Sequence, residues 1–222
     1  MSHYKKLYPT RGDLAREQVR RKGFPFFMDT ETEVAARLAA LPPLSRVAFA
    51  VSCAERLMRA HEALPPTQQR PFTIQWRSVL NDVWKFLGSS DSDAKRAIEQ
   101  ALEEFHRSPY DHADGQEGPP DANEDAAAAS IFAAECLAGG DPESANYAAR
   151  RAVEAAFVLA EGPLRLDDNA FVWDPGAEPM PLAKAAMHNA VQGELGRQLR
   201  DLALLETEGL TAAVLQQLHA AA

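Results

Sequence analysis

The chain has little of what catalytic, secreted or membrane proteins usually display. Its 222 residues hold two cysteines, Cys53 and Cys136, without CxxC or any other paired spacing. That argues against a disulfide framework, and the two thiols read as buried and reduced, in a cytoplasmic protein. No apolar run approaches the roughly 18 residues of a membrane span. The opening MSHYKKLYPTRGD has no apolar core of a secretory signal. GxSxG, HExxH, GxGxxG and the P-loop are all missing. Ser52–Cys53 has no neighbouring histidine to turn either side chain into a nucleophile. No alternating strand pattern of convincing length appears, and there is no internal repeat.

Positive charge is also scarce where negative charge is dense. The net charge of −9 is unevenly spread: residues 1–23 hold seven Lys/Arg against two acids, whereas residues 108–161 hold two basic side chains against eleven acidic ones. The C-terminal half therefore repels nucleic acid and attracts a basic partner. Only the N-terminal arm, read as residues 1–28 ahead of a helical domain over 29–222, could touch phosphates.

What the sequence does have is helical periodicity. Residues 44–64, LSRVAFAVSCAERLMRAHEAL, repeat apolar positions at three- and four-residue steps (Leu44, Val47, Val51, Ala54, Met58, His61). Ala48, Ala50, Cys53 and Leu57 widen the stripe, so this helix is expected to be covered on several sides. Ser45 offers its N-cap, and Pro65–Pro66 stop it. Before it, the spacing predicts a short helix over 14–22, a FPFF strap (Phe24 to Phe27) lying on the core, and a helix after a Thr30/Glu33 capping box. After it, Thr73 opens a helix that Gly88 closes, and SSDSD caps another over 94–107. Residues 108–123 and 162–178 are acidic loops. Helices follow over about 124–140, from Asp141–Pro142–Glu143 to Glu161, and from Pro181 to Glu206; a short final segment either packs or frays. The expectation is an all-α, single-domain bundle of eight or nine helices.

The motifs AFAVSCAERLMRAHEAL, VLNDVWKFL, AAAASIFAAECL, YAARRAVEA and HNAVQGELGRQLRDLALLE, in that order over roughly 34–207, resemble the YjaG-like bacterial family. That family is all-helical and has no established activity. Related small helical proteins occur in toxin–immunity loci, and the resemblance implies that association here.

Two carboxylates stand out inside apolar helical stretches, Glu55 and Glu135. Inward carboxylates of a helical bundle can hold metals. A di-metal bundle needs Glu-x-x-His spacing, and here Met58 and Ala138 stand three residues on. The bland alternative, which we favour, is a buried ion pair with an arginine such as Arg59, Arg150 or Arg197. His106, Asp111, His112 and Asp114 lack any recognised ligand spacing, and His61 and His188 read as core or boundary histidines. No metal or other cofactor is expected. The acids Asp111, Asp114, Glu117, Asp121, Glu124 and Asp125, with Asp167, Asp168 and Asp174 in the second loop, could steer association with a basic protein. Trp173 would suit an aromatic anchor there. The expectation is a non-catalytic cytoplasmic binding protein, an immunity protein for a basic toxin domain, with no nucleic-acid or membrane partner. The alternatives are a metal-dependent helical hydrolase using Glu55 and Glu135, or a housekeeping interaction module or homodimer.

Overall fold

A computed structural model of the chain describes residues 25–108, 125–161, 165–167, 170–172 and 189–222, with side chains over 29–108, 125–157 and 189–222. Eight helices occupy the described residues: α1 (Pro25–Ala40), α2 (Pro43–Glu62), α3 (Pro71–Ser89), α4 (Ser92–Arg107), α5 (Asp125–Gly139), α6 (Pro142–Glu161), α7 (Asn189–Glu208) and α8 (Ala212–Ala221). Between α6 and α7, strands β1 (Arg165–Asp167) and β2 (Ala170–Val172) pair antiparallel, with Leu166 opposite Phe171. This ladder of three residues a side lies where an irregular loop was expected, and it is too short for alternation to reveal. The protein is all-α and single-domain.

The centre is the contact between α2 and α5, with α6 packed on both. Residues 47–55 of α2 are buried without interruption, as are 126–134 of α5. Ala48, Ala50 and Ala54 of α2 and Ala126–Ala129 of α5 are all buried, and such small side chains let neighbouring backbones approach closely. α3 and α4 cover one side, α1 and α7 lie against α6, and α8 rests on α2 and α3. Phe49, Leu38, Met58 and Leu80 are completely enclosed; burying each contributes roughly 1.5–3 kcal/mol. Phe72, Trp76 and Phe105 join α3 to α4 through edge and tilted ring contacts at 5.6–6.5 Å.

Several helix ends differ from expectation. Ser45 does not cap α2: Pro42 holds the N-cap position, Pro43 follows at N1, and Ser45 is buried in the first turn. Proline at N1 costs nothing because its missing N–H would have had no partner there. Leu44 is 43% exposed rather than part of the inward stripe. The backbone of Pro25–Phe27 is already helical, so α1 begins inside the expected strap and runs across the 28/29 boundary; Phe24 and the side chains of 25–28 lie outside the described residues. Thr30 then falls inside the helix, and Glu33 pairs with Arg37 at 3.0 Å instead of closing a capping box. α3 starts at Pro71, two residues before Thr73, and runs through Gly88 to Ser89, with Ser90 as its C-cap in the left-handed conformation at φ 53°. The helix expected over 14–22 lies outside the described residues.

Other ends follow the sequence. Asp141 accepts a hydrogen bond from the Glu143 N–H at 2.9 Å, and α8 packs, capped by Thr211 and anchored by Val214 and Leu218. Asp91 caps α4 by accepting from the Asp93 and Ala94 N–H groups. Lys85, first of all, and those two amides pull the Asp91 carboxyl down to about 2. A group whose folded value is depressed stabilises above its unfolded value and loses that contribution as pH falls through the folded one. Asp91→Ala should therefore speed amide exchange in the first turn of α4 at pH 6, and wild type should approach the variant's rates as pH falls from 3.8 to about 2.

Arg46 ties helix ends together. Its guanidinium donates to the Leu38 and Ala39 carbonyls at 3.0 Å each and to Gly140 O at 2.9 Å. These are C-terminal carbonyls of α1 and the carbonyl just past α5, where a cation also complements the helix dipole.

Candidate functional site

Glu55, on the face of α2 turned to α3 and α8, is 2% exposed and fully occupied. Its Oε1 accepts from Arg59 Nε at 2.8 Å, one helical turn on. Its Oε2 accepts from Arg77 Nη1 at 2.8 Å and Trp84 Nε1 at 3.2 Å, both on α3. Arg77 continues to Glu62 through two bonds of 2.7 Å. Arg59 reaches the His219 and Ala222 carbonyls at 2.8 Å, clamping the end of α8. Burial pushes the Glu55 carboxyl up, but Arg77 and Arg59, helped by Trp84, outweigh it and hold it below the usual carboxylate range. A carboxylate with donors on both oxygens and two guanidiniums beside it is a structural anion, and the repulsion from those cations disfavours a metal ion there.

Glu135 has a different neighbour. Its Oε1 lies 3.2 Å from His106 Nε2, with the Glu135 side chain 11% exposed. The pair joins α4 to α5. Of the arginines expected as partners for the two acids, Arg59 fills that role for Glu55; Arg150 instead lies over the Tyr147 ring at 5.7 Å, and Arg197 pairs with Glu194. Among the described residues, no group of three or more His, Cys, Asp or Glu side chains is placed to hold a metal.

A second ionic cluster, between α2 and α7, was not expected. Arg56 donates to Asp201 Oδ2 at 2.8 Å and to Glu194 Oε1 at 2.9 Å, and also contacts Cys53 Sγ at 3.2 Å. Ser52 Oγ adds a bond to Asp201 at 3.1 Å, and Arg197 Nε one to Glu194 Oε2 at 3.1 Å. Gln198 donates to Glu194 Oε1 and to Ala149 O of α6 at 3.0 Å each. Two arginines balance two acids, so the cluster is neutral. Burial pulls Arg56 down, but the Glu194 and Asp201 carboxylates more than restore it, and the guanidinium stays charged. Among the described residues no acceptor reaches Arg56 Nε. Burial also pushes the Cys53 and Cys136 thiols up to about 12, so neither provides a thiolate nucleophile near neutral pH. The sequence signal was present: Glu194, Gln198 and Asp201 follow the same 4- and 3-residue steps as the buried Val191, Leu195, Leu202 and Leu205.

Of the acids proposed for docking, only Asp125 has a described side chain. It sits at the start of α5, where an anion suits the helix dipole, with Arg151 Nη1 at 3.4 Å; Arg151 also holds Glu154 at 3.0 Å. Asp125 is thus partly neutralised within the bundle. Asp111, Asp114, Glu117, Asp121, Glu124, Asp168, Trp173 and Asp174 lie outside the described residues, as do His112 and His188. Asp167 is described only as the end of β1. No helix among the described residues is long and apolar enough to cross a membrane.

These observations define the chain as an all-α, single-domain bundle whose two interior charge networks hold the helices in register. No family model, curated protein or solved structure matches it. The likeness to the YjaG-like family accordingly stays a proposal resting on the ordered motifs.

Proposed function

We propose that this chain is an immunity protein: a non-catalytic cytoplasmic binding protein that neutralises a bacterial toxin by docking acidic segments on the toxin's basic surface. The observation that supports it is charge segregation. Residues 108–161 carry eleven acids and two arginines, and one of those arginines, Arg151, is committed to Asp125 and Glu154 on α5 and α6. Such a field accelerates encounter with a cation-rich partner and suppresses wrong ones. The ordered motifs shared with the YjaG-like family, and the toxin–immunity association they bring, point the same way.

The test is capture of the tagged chain from its native lysate at low and high salt, followed by co-expression with the protein recovered. The expected result is one stoichiometric basic protein that weakens at high salt, arrests growth when expressed alone and loses its toxicity with the wild-type chain present. Recovery of no partner, or of one without toxicity, overturns the reading.

A further inference from the structure

A cavity of about 290 Å³ opens between α1, α6 and α7. That is the lower end of the range for small-molecule sites, a fragment-sized space. Its apolar wall comes from Val34 and Ala35 of α1 and Val153 of α6. Gln198 of α7 also lines it, although that residue is 1% exposed. The two acceptors that hold its side chain, Ala149 O and Glu194 Oε1, set the amide's orientation, because only the NH₂ can face both. Both N–H hydrogens are thereby spent. Among the described residues no donor reaches the remaining carbonyl oxygen, and this is the atom Gln198 offers to an occupant. An amide oxygen at the cavity wall can accept a hydrogen bond from a ligand N–H. Asn146 of α6 adds a half-buried amide, donor and acceptor together. Glu31 and Arg150 at the cavity have opposite signs, and neither is free. The lining therefore offers no net charge.

We infer that this cavity binds a small uncharged carboxamide or lactam whose N–H donates to Gln198 Oε1, whose carbonyl accepts from Asn146, and whose apolar body lies on Val34, Ala35 and Val153. The Gln198 amide links this site to the Arg56 cluster through Glu194. The inference is independent of the proposed toxin partner.

Benzamide is the probe, titrated into the full chain and followed by the NMR shifts of the Gln198 side-chain NH₂ and neighbouring backbone amides. A fragment of this size should bind with a Kd of about 0.1–1 mM. Benzoate, the same shape without the N–H donors, should bind at least about tenfold more weakly, the factor that one lost hydrogen bond represents. Ala35→Phe, a half-buried position on the cavity wall outside the ionic cluster, should abolish the shifts while leaving Tm within a few degrees. Gln198→Met should weaken benzamide about tenfold. No saturable shift with benzamide, equal or tighter binding of benzoate, or unchanged binding by the Ala35→Phe variant would each overturn the assignment.

Discussion

Arg56→Met should cost about 3–5 kcal/mol of stability, the range for breaking a buried charge pair. At this chain length that is a fall in Tm of roughly 6–20 °C. The methionine is close to the arginine stem in volume, so little packing is lost; the loss comes from the carboxylates left behind. Among the described residues Asp201 keeps only the Ser52 hydroxyl at 3.1 Å. Glu194 keeps Gln198 and Arg197, but the Arg197 side chain is 44% exposed and screened by water. The control is Arg56→Met/Glu194→Gln/Asp201→Asn, which removes the stranded charges along with the cation. It should recover most of the loss, since a neutral isosteric replacement of a buried ionic cluster is often tolerated. Thermal and urea unfolding of both variants checks this. If the triple variant is as unstable as the single one, the cost lies in shape and not in uncompensated charge.

The second large effect is at Glu55. Glu55→Ala takes the shared acceptor from Arg59, Arg77 and Trp84 and should cost about 3 kcal/mol. The loss is below that of Arg56 because Arg77 retains both bonds to Glu62 and Arg59 retains the α8 carbonyls. The same residue gives the stability a pH dependence with a definite sign. Its folded carboxyl titrates below the unfolded value of 4.5, so the unfolded chain binds the proton first. The stabilisation is complete above about pH 4.5 and is lost as pH falls through the lower, folded value. Wild type and Glu55→Gln should therefore differ most at pH 6–7 and converge as pH falls below 4.5. A difference that widens on acidification contradicts this assignment.

How far the sequence foretold these features depends on how far apart the interacting residues lie. Val47, Val51, Ala54, Met58 and His61 are buried as their 3.6-residue periodicity requires, because burial of a helix face is written locally. Glu55 was visible for the same reason, as a charge on an apolar face. Its nearer partner Arg59 is one turn away, whereas Arg77 is 22 residues distant on another helix. The Arg56 cluster joins positions 138 and 145 residues apart. Neither half looks unusual alone: Arg56 is one of several arginines on α2, and Glu194 and Asp201 resemble ordinary polar positions until the helix is placed. Helix starts were misread where proline and a polar residue competed. At Ser45 and Thr73 the side chain suggested a cap, but the preceding proline already began the helix. Both Ser45 and Thr73 were drawn into the core instead.

The measurement that tests the proposed docking most directly is the association rate with the captured partner as a function of ionic strength. It compares wild type with a variant carrying Asp111→Lys, Asp114→Lys, Glu117→Lys, Asp121→Lys and Glu124→Lys. Electrostatic steering predicts a rate at least about tenfold slower for the variant near 20 mM salt. The two rates should converge near 0.5 M, where the Debye length is only about 4 Å. Equal rates at low salt would contradict the account, because docking would then proceed without the acidic segment.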